Sequence, residues 1–196
     1  MYLFFDTETT GVPRDNRAPV SDLENWPRVV QLGWMQCDNR GGEIACQEHL
    51  IIPEGFHIPE EVTLIHGITT ERARGEGIPL ETALRSFSAA VAEAQALVAH
   101  NFRFDEQVLG AEFLRAELSN PIPGRSRLCT MLASTSFCRI PGRYGYKRPT
   151  LEELYRILFQ RVRAESHGAL LDARACAECF FELRRLGVLK RNTGES

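Results

Sequence analysis

The sequence predicts an α/β fold in which α-helices flank a mixed β-sheet. Two observations predict it: three strand candidates come first, and helical and strand patterns then alternate toward the end of the chain. This order is typical of a mixed sheet with helices packed on it. The chain has 196 residues, 43% of them hydrophobic, which is enough for one domain with its own core. We expect that domain over residues 1–189 and a loose C-terminal tail over 190–196.

The strand candidates lie mainly in the first third of the chain. Residues 2–5 are a short apolar run, as in a strand covered on both faces. Residues 29–35 and 44–52 are two further candidates. The segment that joins them, Asp38-Asn39-Arg40-Gly41-Gly42, has residues that favour a hairpin turn.

The second half of the chain carries helical patterns. Apolar residues recur at helical spacing over 80–94 and again over 109–116, with a short buried strand at 97–99 between them. An edge strand is predicted at 127–131, and Thr150 precedes a run typical of a capped helix start. The closing helix carries three apolar residues on one face: Cys176, Phe180 and Leu183.

Composition excludes several classes of protein. No apolar stretch reaches the ~20 residues of a membrane span, and the start of the sequence lacks the features of a secretory signal. Six cysteines in a chain of this length do not indicate a disulfide framework, so we expect a reduced, cytoplasmic protein. The net charge of −3 argues against a partner held by bulk positive charge, but allows a local basic strip.

Four carboxylates occupy positions where burial makes them costly. Because strand side chains alternate, Asp6 and Glu8 share a face with Phe4. Asp105 and Asp172 each precede apolar residues at i+4 and i+8, so each heads an inward-facing helical stripe. A buried unpaired carboxylate costs several kcal/mol, and no Arg or Lys is evident beside these four. We therefore expect divalent cations, and oxygen ligands suit Mg²⁺ or Mn²⁺.

Simpler interpretations of single residues stay open. Asp105 and Asp172 could complement the dipole of a helix from its first turn. Asp6 and Glu8 could lie on the rim of a strand that ends in solvent. The joint pattern favours a site, because ligands of open sheets bind at the carboxyl ends of strands.

A histidine precedes the last of these acids. His167 is five residues before Asp172, so the two cannot share a helix face, and we expect His167 in the preceding loop. A neutral imidazole is suited to act as a general base near pH 7. A solvated histidine without a role is the alternative interpretation.

Two other segments carry possible chemistry. Residues 139–148 contain cations and two tyrosines but no acid, which suits single-stranded nucleic acid and equally a solvated, Gly/Pro-rich loop. The pair Cys176-x-x-Cys179 lies inside a helical pattern without a second pair, which favours packing over redox or zinc chemistry.

The motifs together resemble those of a known family. Residues 5–11 (FDTETTG), 100–105 (HNFRFD) and His167-x-Ala169-x-x-Asp172 resemble the three motifs of the DEDDh 3′–5′ exonucleases, in the same order, and residues 65–69 (IHGIT) resemble a segment between the first two. The chain is similar in this respect to the proofreading epsilon subunit of bacterial DNA polymerase III. The resemblance implies a ribonuclease H-like fold.

The resemblance also implies an activity: metal-dependent removal of nucleotides from single-stranded nucleic acid 3′ ends, with DNA favoured. An exoribonuclease that processes RNA 3′ ends, or a nucleic-acid binding module that no longer needs catalysis, are the alternatives. The resemblance implies a DNA polymerase or repair complex as a candidate partner. The excursion at 12–28 is longer than in compact members, and no counterpart of a polymerase-gripping tail is visible, so we expect a stand-alone or differently tethered nuclease.

The resemblance further assigns roles to individual residues. It implies two divalent cations, Mg²⁺ or Mn²⁺, and His167 as the base that takes a proton from the attacking water. The residues implied as metal ligands are Asp6, Glu8, Asp105 and Asp172, and those implied to contact or support the terminal nucleotide are Thr9, His66, Asn101 and Phe104.

Overall fold

The computed structural model describes residues 1–163 and 168–189, and its centre is a mixed β-sheet. The strands are β1 (Tyr2–Thr9), β2 (Val29–Cys37), β3 (Glu43–Leu50), β4 (Ala96–Ala99) and β5 (Ser126–Cys129). They form a five-stranded sheet in the order β3-β2-β1-β4-β5. Strand β2 is antiparallel to both β1 and β3, whereas β4 runs parallel to both β1 and β5. The predicted mixed sheet is confirmed.

Helices cover the sheet and connect its strands. The helices are α1 (Glu60–His66), α2 (Thr70–Glu76), α3 (Leu80–Glu93), α4 (Phe102–Arg115), α5 (Thr130–Cys138), α6 (Leu151–Phe159) and α7 (Ala169–Arg185). Between α5 and α6, β6 (Pro141–Gly142) and β7 (Gly145–Tyr146) form a separate two-stranded sheet. In the described ranges, no helix combines the length and the apolar content that crossing a membrane requires.

The central strand β1 is buried on both faces. Leu3 and Phe5 pack in a core cluster with side chains of α3 and α4. Phe4 points to the opposite face and packs with side chains of α6 and α7, including Phe180. Because side chains alternate along β1, every second residue from Phe4 onward faces α7. Asp6 and Glu8 therefore lie on the face of the sheet that α7 covers.

Most predicted elements are confirmed within a few residues. The turn at 38–42 joins β2 to β3, and Thr150 forms a capping box with Glu153 at the start of α6. The predicted strand at 127–131 is shorter, because Met131 belongs to α5. The sequence did not predict α1, α2 or α5, which are 7, 7 and 9 residues long and too short for a clear apolar period.

Candidate active site

Four carboxylates come from three elements that end or begin at one edge of the sheet. Asp6 and Glu8 lie in the second half of β1. Asp105 lies in the first turn of α4, directly after β4, and Asp172 lies in the first turn of α7. Since β1 and β4 are parallel, their carboxyl ends meet at the same edge, which is where open sheets place their ligands.

Three of these acids form a compact cluster. One carboxylate oxygen from each of Asp6, Glu8 and Asp172 lies within 4.8 Å of the others. Asp105 is buried, with 2% of its surface exposed, and its Oδ1 accepts a 2.8 Å hydrogen bond from the hydroxyl of Thr7. Thr7 lies between Asp6 and Glu8 in β1, so it joins the fourth acid to the same strand.

Burial and mutual repulsion perturb the acids. Burial, the largest cause, together with the charges of Asp105, Asp172 and Glu8, raises the pKa of Asp6 well above its usual value. Burial, followed by the charges of Asp172 and Asp105, raises the pKa of Glu8 to about 7. Burial also raises the pKa of Asp105, although the hydrogen bonds from Thr7 oppose that shift. Without a cation, these carboxylates are therefore held where their charged form is disfavoured.

The expectation that no Arg or Lys lies beside the acids is wrong for Asp172. Arg163 donates a hydrogen bond from Nη2 to Oδ1 of Asp172, and both side chains are mostly buried. Arg163 is nine residues before Asp172, outside the helix that carries the acid, so sequence spacing gave no sign of the contact. In the described part of the chain, no basic side chain forms an ion pair with Asp6 or Glu8.

Glu112, a buried acid outside the cluster, shows how this protein neutralises a carboxylate that has a structural role. Glu112 is fully buried, and its Oε1 lies 2.9 Å from Nε of Arg28 and 3.2 Å from Nη1 of Arg115. The same oxygen accepts a hydrogen bond of 2.9 Å from the backbone N–H of Val29. These contacts anchor the end of the 12–28 excursion to α4. The cluster around Asp6 lacks such arginine pairs on two of its three acids, which fits a site built for exogenous cations.

The start of α7, which carries Asp172, is held by side chains from the sheet. The backbone N–H of Ala169 donates to Oε1 of Gln31 at 2.9 Å, and that of Leu170 donates to Oε1 of Glu48 at 3.1 Å. The residue at the N-cap, Gly168, makes no side-chain cap. Side chains of β2 and β3 therefore accept hydrogen bonds from backbone N–H groups of the first turn of α7, which have no partner within the helix.

Gly33 allows this helix start to approach the sheet. It pairs with Asp6 across β1 and β2, and a Cβ at this position would lie 2.1 Å from the backbone N of Leu170. Any side chain here would push α7 away from the acids. Sequence reasoning missed Gly33 and Gln31, and the only available signal was a glycine inside an otherwise apolar strand pattern.

The residues implied to contact a nucleotide lie at or near the ends of their elements. Thr9 ends β1, and its hydroxyl donates to the carbonyl of Gly11 at 2.7 Å. His66 is buried at the end of α1, and its Nδ1 accepts from the N–H of Ile68 at 3.0 Å. Asn101 is the N-cap of α4, with a left-handed φ of 68°.

The remaining sequence-based predictions concern Phe104, His167, the C-terminal tail and the cysteine pair. Phe104 is half-buried and packs against the core, and it also lines a cleft of about 340 Å³ with Asn101. His167 and the 190–196 tail lie outside the described residues. The sulfur atoms of Cys176 and Cys179 are buried in the core beside Phe4, which agrees with packing rather than redox chemistry.

The fold and the site define a class of protein: an α/β protein with a cluster of acidic side chains, suited to divalent cations, at the carboxyl ends of the parallel strands of its sheet. Comparison of the sequence with known families gives the particular one. The family described as Exonuclease (RNase_T) matches residues 3–180. The chain belongs to this exonuclease family, which confirms the predicted resemblance and the predicted hydrolase class.

Individual relatives agree with the family. The chain is 31% identical over 180 residues to DNA polymerase III subunit epsilon of Treponema pallidum, covering 90% of this chain and 73% of that protein. It is 32% identical over 117 residues to DNA polymerase III PolC-type of Streptococcus suis, covering 60% of this chain and 7% of that protein.

Solved structures support the same fold. The zinc-bound complex of E. coli exonuclease I with single-stranded DNA is similar with a TM-score of 0.74 and 19% identity, over 94% of this chain. The complex of that enzyme with a dT13 oligonucleotide gives 0.73 and 19% over 95%. The chain spans 40% and 42% of the exonuclease I chains in these structures. The ribonuclease H-like fold is therefore confirmed.

Proposed function

We propose that this protein is a metal-dependent 3′–5′ exonuclease that removes nucleotides from single-stranded DNA ends. The observation that carries the proposal is the cluster of Asp6, Glu8 and Asp172, with carboxylate oxygens within 4.8 Å of one another. Asp6 and Glu8 have raised pKa values, and neither forms an ion pair with a described basic side chain, although the charge of Arg163 partly opposes the shift at Asp6. Membership in the exonuclease family makes phosphodiester hydrolysis the chemistry that such a cluster serves.

The donor set fits two divalent cations, Mg²⁺ or Mn²⁺. Every candidate ligand is a carboxylate, and hard oxygen donors suit these ions better than zinc. Asp6, Glu8, Asp105 and Asp172 would hold them, with the Thr7 hydroxyl orienting Asp105. When bound, a pair of such ions can assist in-line displacement at phosphorus by stabilising the charge on the attacking and leaving oxygens.

His167 supplies the proton acceptor in this proposal. Its support is the third motif of the sequence, in which it precedes the first residue of α7 by two positions and Asp172 by five. A neutral imidazole takes the proton of the attacking water as the bond to phosphorus forms, and the 3′ oxygen of the preceding nucleotide leaves. Thr9, His66, Asn101 and Phe104 would position the terminal nucleotide around the acids.

The relatives support DNA and a replication setting as the natural context. One relative is named as a subunit of DNA polymerase III, and exonuclease I is solved with single-stranded DNA. We propose DNA 3′ ends as the preferred substrate and a polymerase or repair complex as a partner. A cytoplasmic location stays part of the same proposal, as does the division into a 1–189 exonuclease domain and a tail.

A direct assay tests the activity. The purified protein, with Mg²⁺ or Mn²⁺, should shorten 5′-labelled single-stranded oligonucleotides from the 3′ end and stop when chelator is added. Asp6→Asn should abolish shortening because it removes a charged ligand. The matched control is Asp22→Asn, an exposed acid in the 12–28 excursion, which should cut like the wild type.

The same assay separates the alternatives. His167→Ala should lose most of the turnover and still bind the metal ions, and normal cutting by this variant would refute the general-base role. DNA and RNA oligonucleotides are compared in parallel, and faster shortening of RNA would replace the DNA preference. Failure to shorten either polymer would leave the binding-module alternative.

A further inference from the structure

The hairpin of β6 and β7 presents aromatic rings to solvent. Pro141 pairs with Tyr146 and Gly142 with Gly145, which places Arg143 and Tyr144 at the tip. Tyr144 is 89% exposed and Tyr146 is 54% exposed. The guanidinium of Arg143 lies 5.2 Å from the centre of the Tyr144 ring. Tyr144 buries little apolar surface, and Tyr146 leaves more than half of its surface to solvent, so folding alone does not explain both rings.

The hairpin is also a concentration of unpaired positive charge. Residues 139–148 contain four cations and no acid. Lys147 forms an ion pair with Glu153 at 2.6 Å, but Arg139, Arg143 and Arg148 have no carboxylate partner in the described ranges. Some arginines elsewhere on the surface, such as Arg85 on α3, pair with a glutamate of their own helix. The hairpin therefore carries a local positive potential on a protein whose net charge is −3.

The base of the hairpin is fixed to the second motif. The ring nitrogens of His100 lie 3.0 Å from the carbonyl oxygen of Pro149 and 3.0 Å from the hydroxyl of Thr130. His100 directly precedes Asn101, the N-cap of α4. The hairpin thus leaves the protein body next to the helix that carries Asp105.

A cleft connects this base to the candidate nucleotide site. Arg148 lines the cleft of about 340 Å³ together with Asn101, Arg103 and Phe104. A strand that leaves the carboxylates past Asn101 and Phe104 would meet Arg148 first and the exposed tyrosines next. The cleft therefore joins the base of the hairpin at Arg148 to the candidate nucleotide site, and Tyr146 and Tyr144 lie farther along the hairpin.

We propose that this hairpin, residues 139–148, is a docking surface for single-stranded nucleic acid that binds the nucleotides preceding the 3′ end. Tyr144 and Tyr146 stack on bases, and Arg139, Arg143 and Arg148 bind phosphates. A duplex keeps its base faces covered, whereas an unpaired strand offers them to aromatic rings. This inference rests on the proposed exonuclease function, because that function places the 3′ end at the carboxylates.

The binding test is made without catalysis, so that its result does not depend on the activity. Fluorescence anisotropy measures binding of 5′-labelled dT12 and U12 in EDTA, where no strand is cut by a metal-dependent enzyme. Tyr144→Ser should raise the Kd about tenfold, the loss expected for one stacked base. Tyr144→Phe keeps the ring and should bind like the wild type.

Salt dependence tests the charges. Removing one phosphate contact with Arg143→Ser should lower the slope of log Kd against log salt concentration by about 0.7. The matched control is Arg40→Ser, in the turn between β2 and β3 at the opposite edge of the sheet, which should leave both Kd and slope unchanged. The hairpin residues are exposed, so these variants should melt at the temperature of the wild type.

The outcomes separate this inference from the proposed function. Unchanged Kd and slope in Tyr144→Ser and Arg143→Ser would overturn the hairpin inference even if the protein degrades DNA. Equal, hairpin-dependent binding of a blunt duplex would overturn the single-strand assignment. Hairpin-dependent binding by a protein that shortens no strand with Mg²⁺ or Mn²⁺ would support the surface and refute the exonuclease function.

Discussion

The replacement Gly33→Ala tests how the site is assembled. The added methyl carbon would lie 2.1 Å from the backbone N of Leu170 and 2.4 Å from the carbonyl carbon of Ala169, whereas ordinary contacts begin at 3.4 Å. The neighbours are backbone atoms and cannot rotate away. The start of α7 must therefore move from β2 by about 1.3 Å, the difference between 3.4 Å and 2.1 Å.

This displacement has two expected consequences. Overpacking of a tight contact costs about 1–3 kcal/mol of unfolding free energy. Asp172 lies two residues after Leu170 in the same turn, so it moves away from Asp6 and Glu8 by a similar distance. A misplacement of about 1 Å at a reacting centre can cost about 100-fold in rate. We expect kcat/KM on single-stranded DNA to fall by about that factor.

Urea unfolding and exonuclease kinetics with Mg²⁺ measure both effects. The control is Gly75→Ala in α2, where an added Cβ meets nothing within 4 Å. Gly75 lies in the last turn of α2, so replacing it with alanine should stabilise that variant by less than about 1 kcal/mol without loss of activity. If Gly33→Ala unfolds like the wild type and cuts at the wild-type rate, close packing at Gly33 does not position Asp172.

Two further predictions concern buried acids. Burial raises the pKa of Glu8 to about 7, so the metal-free native state keeps a proton on Glu8 that the unfolded state releases near pH 4. The unfolding free energy of the metal-free protein should therefore fall as the pH rises between those values. Saturating Mg²⁺ should oppose the fall. Urea titrations at pH 5 and pH 7.5 in EDTA test this, and a rise with pH would contradict it. Glu112→Gln leaves Arg28 and Arg115 without their charged partner, so it should lower the unfolding free energy by about 3 kcal/mol and leave the affinity for Mg²⁺ unchanged. Urea unfolding and calorimetric titration measure these two quantities. Wild-type stability of the variant would refute the structural role of Glu112.

Local patterns predicted the elements that carry a strong period or a strong cap. The apolar run at the start of β1, the turn at 38–42 and the capping box at Thr150 depend on neighbours in sequence, and the structure has all three. The helices α1, α2 and α5 are too short for a clear apolar period to emerge, and packing against the rest of the protein decides them.

By itself, the sequence determined on which side of each element four acids lie. Strand alternation placed Asp6 and Glu8 in phase with Phe4, and helical spacing placed Asp105 and Asp172 at the heads of buried stripes. Only the tertiary structure decided how close the acids come, because their distances depend on contacts between segments remote in sequence. The clearest of these are the approach of α7 to β2 at Gly33, its capping by side chains of the sheet, and the ion pair at Asp172.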